Sequence, residues 1–261
     1  QPALGQRPTL DRDDGRPLGL GIAHPPILPT RGAMLDIAAR ADHNAVTRPH
    51  GRQRVSTPTD HSRPLAYRFV VALLRPLLML FTHRRWSGEE NLPTEGGFVV
   101  VTNHYSHLDP FVMGHFLVDH GYSPRYLGKV EVFRIPVVGW IIRKADQIPV
   151  HRESGRAVNA YRSAVDAVRA GKVVAIYPEG TLTRDPDLWP MRGKTGAARV
   201  ALETGCPVVP IVSWGAHDIL GPYAHWPHLL PRKTMVVHAG APVVLDDLHG
   251  RPASAQVLHE A

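Results

Sequence analysis

Cysteine is all but missing from this chain of 261 residues, in which Cys206 stands alone. An intrachain disulfide is thereby excluded, and the usage fits a reducing, cytosolic setting. Cys206 lies in an apolar run and reads as core rather than nucleophile. Aromatic residues are missing from residues 1–63, which are crowded with Pro, Arg, Asp, Gly and His and show no sustained periodicity. Such a segment cannot bury enough apolar surface to offset its ordering entropy, so it is expected to be disordered. It also lacks the apolar stretch of about 7–15 residues near Gln1 that a secretory signal requires. Nowhere does the chain reach the roughly 20 clean apolar residues of a membrane-spanning helix. Lysine is scarce and first occurs at Lys129, yet 30 basic residues against 23 acidic ones leave a formal charge of +7. That excess favours an anionic partner: a phosphate-bearing substrate, anionic lipid or nucleic acid. No nucleic-acid motif and no internal repeat is visible.

The apolar character begins at Leu65 and runs to Phe81, interrupted by Arg68, Arg75 and Pro76. Too short and too charged to span a bilayer, it reads as a helix lying in a membrane interface. Arg63 on one side and His83-Arg84-Arg85-Trp86 on the other supply cations for headgroups and an interfacial aromatic. Three parts follow: a disordered segment over 1–63, the interface helix over 64–86, and a folded domain over 87–261. Within the domain the pattern predicts strand 98–102, helix 110–120, a short strand at 125–127, a loop over 129–139, helix 154–170, strand 173–177, helix 194–204, and strands 207–213 and 234–239. The helix over 154–170 is well signalled, because Ala157, Tyr161, Ala164, Val165 and Val168 recur at helical spacing before Gly171. Strands separated by helices imply a single α/β domain with a mostly parallel sheet flanked by helices.

The run Phe98-Val99-Val100-Val101-Thr102-Asn103-His104-Tyr105-Ser106-His107-Leu108-Asp109-Pro110 reads as a buried strand, a turn and a helix start. Asp109 before Pro110 has the look of an N-cap with proline at the first helical position. His104 and Asp109 thus converge at the C-terminal edge of the sheet, where α/β proteins bind substrates. Histidine titrates near neutrality, and a carboxylate on its second ring nitrogen fixes the tautomer and steadies the imidazolium. The chemistry that suits the pair is proton abstraction. Ser106 lacks a Gly-x-Ser-x-Gly elbow and reads as a maker of turn hydrogen bonds rather than as a nucleophile.

Asn-His-x-Ser-x-x-Asp over residues 103–109 resembles the His-x4-Asp signature of the glycerolipid acyltransferases, most nearly the bacterial 1-acylglycerol-3-phosphate acyltransferases. Three further blocks follow in family order: Gly128-Lys129 through Trp140 with Val150-His151-Arg152, then Tyr177-Pro178-Glu179-Gly180-Thr181, then Cys206-Pro207-Val208-Val209-Pro210-Ile211. The resemblance implies a transfer in which His104 takes the proton of an acceptor hydroxyl, Asp109 orients His104, and the oxygen attacks an acyl thioester. Acyl-CoA or acyl carrier protein is the implied donor, a lysophospholipid the acceptor, and no cofactor or metal is called for. Membrane contact, at the cytoplasmic face as a peripheral or monotopic protein, belongs to the same expectation.

By the same resemblance the Glu179-Gly180-Thr181 loop binds the acceptor phosphate, with Glu179 contacting a hydroxyl or ordering cations. Here the chain departs from the commoner pattern, in which arginine follows that threonine. Leu182 and Thr183 intervene before Arg184, which is a candidate phosphate fork. Lys129 and Arg152 are the other phosphate candidates, and Glu131 and Arg134 weaker ones. Two rival readings stand beside this one. His104, His107 and Asp109 form a His-x2-His-x-Asp cluster that a zinc hydrolase would use. A non-catalytic membrane adaptor would rely on the basic residues and the helix over 65–81 alone. Gln256 through Ala261 looks like the opening of a further helix.

Overall fold

Strand β2 (Phe98–Thr102) shows why the domain has two apolar faces. Phe98 and Val100 point into one buried cluster, while Val99 faces another, as the two-residue period of a strand requires. The same alternation recurs in β5 (Val173–Ile176), whose Val173 and Ala175 join the first cluster and Val174 and Ile176 the second. A strand covered on both sides has no room for polar side chains, which is why these runs are continuous in Val, Ala and Ile.

The computed structural model describes residues 64–151, 157–243, 245 and 248. Within them lie helix α1 (Leu65–Phe81), β1 (Thr82–Ser87), β2, α2 (Asp109–Asp119), β3 (Arg125–Lys129), α3 (Val130–Arg134), α4 (Val138–Lys144), β4 (Ile148–Val150), α5 (Ala157–Arg169), β5, α6 (Gly196–Thr204), β6 (Val208–Trp214), α7 (Ala216–Ile219) and β7 (Lys233–Ala239). Seven strands form one sheet in the order β1-β7-β6-β2-β5-β3-β4. Every pairing is parallel except β6 with β7. Val112, Met113, Phe116 and Leu117 of α2 cover one face, with Ala216 and Ile219 of α7. Ala160, Ala164, Val165 and Val168 of α5 and Ala197, Val200 and Ala201 of α6 cover the other. The expected α/β domain with a mostly parallel sheet flanked by helices is the observed one.

Four details differ from the sequence reading. Thr82–Ser87, read as a cationic flank, is the edge strand β1, registered on β7 from Thr82↔Lys233 to Ser87↔His238. Its charges suit an edge, where side chains reach water and discourage further pairing. The three residues of β4 carried no pattern long enough to register. The expected loop over 129–139 folds as α3, a turn at Pro136, and the start of α4. Gly139 permits this corner, since a Cβ there would lie 2.0 Å from the carbonyl oxygen of Phe133. Finally, Leu108 rather than Asp109 is the N-cap of α2, and Asp109 is its first helical residue. The expected disorder of 1–63, Ser154 and the helix opening at 256–261 fall outside the described residues.

Helix α1 rides on the domain through one side. Tyr67, Val70, Val71, Leu74 and Leu78 help to line an apolar cavity of about 270 Å³ closed by Pro110, Phe111 and Gly114 of α2, Phe133 and Ile142. The opposite side exposes Leu65, Phe69, Leu73, Leu77 and Leu80. No helix among the described residues is long and apolar enough to cross a membrane.

Candidate active site

Because β2, β5 and β3 run parallel as neighbours, the residues following each leave the sheet along one edge. His104 follows β2, Glu179 follows β5, and Lys129 ends β3. There the Nδ1 of His104 lies 3.0 Å from Asp109 Oδ2. Asp109 is buried, and the same oxygen accepts the backbone amides of Tyr105 at 2.6 Å and Ser106 at 2.8 Å. Its carboxylate is therefore turned back onto the turn that carries His104, which explains why it does not cap α2. A buried carboxylate holding two amides has Nδ1–H as its natural third donor, so the lone pair of His104 is left on Nε2. The His104 ring packs on Tyr177 with centroids 4.2 Å apart, which limits its rotation.

The turn carrying His104 is fastened from several sides. Asn103 Nδ2 donates to the Ser213 carbonyl at 2.8 Å, and the Ser213 amide donates to Asn103 Oδ1 at 2.9 Å, tying the turn to β6. Ser106 Oγ donates to the Leu220 carbonyl at 2.7 Å and accepts the Leu108 amide at 3.1 Å, the turn role expected of it. Thr183 donates its amide to the His104 carbonyl at 2.8 Å.

Glu179 is buried and is placed between two loops rather than against a cation. Its Oε1 accepts the His104 amide at 3.3 Å and its Oε2 the Met191 amide at 3.0 Å. Burial pushes its carboxyl above the usual range, and the two amides offset only part of that rise. Gly180 adopts the left-handed conformation with φ 71°, and a Cβ there would lie 2.9 Å from Lys194 Nζ. Lys194, whose amide donates to the Pro178 carbonyl at 2.9 Å, thus lays its ammonium over the Glu179-Gly180-Thr181 loop. The sequence reading missed it, because Lys194 is remote from the motif and carries no pattern of its own. Thr181 is half-buried on the loop, whereas Arg184 and Lys129 are exposed. Arg152 lies outside the described residues.

The zinc cluster does not assemble. His107 is exposed, Nδ1 of His104 is engaged by Asp109, and among the described residues no group of three or more His, Cys, Asp or Glu side chains is arranged to hold a metal ion. Cys206 is buried in the second core cluster, and burial pushes its thiol up.

Fold and site together define a class: an α/β domain that holds one carboxylate-backed histidine at a sheet edge, with the adjacent serine hydroxyl tied to backbone. The chain belongs to the acyltransferase family, whose model matches residues 83–214. It is 36% identical over 135 residues to a chloroplastic 1-acyl-sn-glycerol-3-phosphate acyltransferase, BAT2, of Brassica napus, a match covering 51% of this chain and 38% of that protein. To the 1-acyl-sn-glycerol-3-phosphate acyltransferase of Bacillus subtilis it is 29% identical over 149 residues, covering 57% of this chain and 71% of that one. The chain thus spans well under half the length of the plant relative and more of the bacterial one. The crystal structure of the 1-acyl-sn-glycerophosphate acyltransferase PlsC from Thermotoga maritima shares the fold, with a TM-score of 0.58 at 24% identity, covering 86% of this chain and 83% of that one.

Proposed function

We propose that this chain transfers a fatty acyl group from an acyl thioester to the free hydroxyl of 1-acylglycerol-3-phosphate, giving phosphatidic acid. The observation that carries the reading is the His104–Asp109 contact at 3.0 Å, which leaves Nε2 as the basic atom at a half-buried edge. Nε2 removes the hydroxyl proton as the oxygen attacks the thioester carbonyl. A C–O bond forms, the C–S bond breaks, and the thiolate of coenzyme A or acyl carrier protein takes the proton back from the imidazolium. Asp109, held on Nδ1, steadies that imidazolium. General-base assistance of this kind contributes roughly 10²–10⁴-fold, with positioning supplying more.

Acceptor phosphate belongs by charge to the Glu179-Gly180-Thr181 loop beneath the Lys194 ammonium. Lys129 and Arg184, exposed near this edge, serve as further cations, and Arg152 is a further candidate by its place in the sequence. Glu179 acts by joining the His104 turn to the Met191 loop. The apolar cavity between α1 and α2 suits an acyl chain, and its lining reaches Pro110, next to Asp109. Exposed apolar residues of α1 dock the protein on the lipid surface from which the acceptor comes, at the cytoplasmic face. Labelled acyl-CoA and acyl carrier protein offered separately with a panel of lysophospholipids test this. Phosphatidic acid formation from 1-acylglycerol-3-phosphate is expected, and transfer to none of the acceptors would refute it.

A further inference from the structure

Beyond α1, the largest fully accessible aromatic side chains sit in the segment between α7 and β7. Tyr223, Trp226 and Leu230 are 74%, 81% and 75% exposed. Three large apolar groups, two of them aromatic, are costly to leave in water in one loop, and cations stand at its end in Arg232 and in Lys233, the first residue of β7. The loop is also fixed to α1. Arg232 Nη2 donates to the carbonyls of Met79 and Thr82, each at 2.7 Å, and Lys233 is registered opposite Thr82 where β1 begins. At its other end Leu220 accepts the Ser106 hydroxyl, so the loop spans from the catalytic turn to the end of the amphipathic helix. Since β7 runs antiparallel to β6, its start and the parallel start of β1 both lie toward the edge that carries His104. The end of α1, where Leu77 and Leu80 are exposed, therefore meets this loop at Met79.

We infer that the loop over 221–232 is a second membrane-inserting element, which seats Tyr223, Trp226 and Leu230 in the headgroup region of an anionic bilayer beside α1. Tyrosine and tryptophan favour that depth because their rings are amphipathic, while Lys233 and the Arg232 guanidinium nitrogens other than Nη2, which holds the Met79 and Thr82 carbonyls, meet the phosphates. The inference rests on the membrane reading of α1. It adds that docking is two-point, with the catalytic edge held between the points and turned toward the lipid.

The test is flotation of the full chain with phosphatidylcholine–phosphatidylglycerol vesicles, run on wild type, on Tyr223→Ser/Trp226→Ser/Leu230→Ser, and on Phe69→Ser/Leu73→Ser/Leu77→Ser/Leu80→Ser. An environment-sensitive fluorophore on Trp226→Cys in a Cys206→Ala background reports the loop directly. The loop variant is expected to partition about tenfold more weakly, with its unfolding transition and its turnover on soluble short-chain substrates unchanged, and the fluorophore to brighten on vesicle addition. If wild type and loop variant float equally while the helix variant does not, and the fluorophore stays in water, the loop assignment fails and the role of α1 stands. If wild type does not float at all, both fail.

Discussion

At the residue scale, His104 is defined less by its motif than by what surrounds it. One ring face is covered by Tyr177, Nδ1 is held by Asp109, and the backbone on either side is tied by Glu179 and Thr183. Tyr177 contributes its ring and not its hydroxyl, which is buried with no hydrogen-bond partner among the described residues. An orphaned buried hydroxyl costs roughly 1–3 kcal/mol. Tyr177→Phe is therefore expected to raise the denaturation midpoint and keep turnover, whereas Tyr177→Ala frees the imidazole and lowers kcat. A phenylalanine variant with sharply reduced kcat would instead put that hydroxyl against substrate. If the Glu179-Gly180-Thr181 loop holds the acceptor phosphate as proposed, Lys194→Ala raises the acceptor KM about tenfold, the loss of one charge-assisted hydrogen bond, with little change in kcat. Arg184→Ala should do less, because both cations are exposed but only Lys194 is placed against Gly180, its Nζ 2.9 Å from where a Cβ there would sit. The opposite ranking in acceptor titrations would move the phosphate to Arg184.

At the element scale, the attachment of α1 depends on Asp119 at the end of α2. Its carboxylate accepts Arg75 of α1 at 2.9 Å, and Arg84 and the Trp86 indole of β1 at 2.9 and 3.1 Å. His115, one turn earlier, lies with Nε2 3.6 Å away. Burial pulls the His115 imidazole below its ordinary 6.5, outweighing the raising effect of Asp119. For Asp119, burial pushes upward, but Trp86, His115 and Arg75 together bring the carboxyl below 3.8. Both shifts have one sign for stability. The unfolded chain binds the more protons, so stability from His115 is present above 6.5 and lost as pH falls below it, and that from Asp119 is lost as pH falls below 3.8. Denaturation midpoints should decline between pH 7 and 5, and His115→Gln should flatten that slope. Asp119→Asn should raise amide hydrogen exchange in α1 before it does so in the sheet. Uniform exchange across both would deny Asp119 its clamping role.

At the scale of the molecule, the buried half of the fold was legible because burial on both sheet faces forces uninterrupted apolar runs. Phe98–Thr102 and Val173–Ile176 could be read directly. Thr82–Ser87 could not, because an edge strand is half solvated and its Arg84 and Arg85 mimic a membrane flank. The helices α3 and α4 escaped notice since Pro136 breaks any period across them. The closeness of His104 and Asp109 was legible from their spacing, but the use of Asp109 as an amide acceptor, the bridging by Glu179 and the reach of Lys194 depend on loops meeting in space. Local pattern carries no record of such meetings.

The transfer rate of wild type against His104→Ala, with labelled acyl-CoA and 1-acylglycerol-3-phosphate, tests the central claim most directly. Both proteins should unfold cooperatively, the variant at a somewhat lower midpoint because buried Asp109 loses the His104 donor, and the rates are compared where both are folded. Wild type is expected to form phosphatidic acid, and the variant to lose at least the roughly 10²-fold in kcat that a general base supplies. Near wild-type turnover by the folded variant would contradict the account, since no base would then be acting from that position.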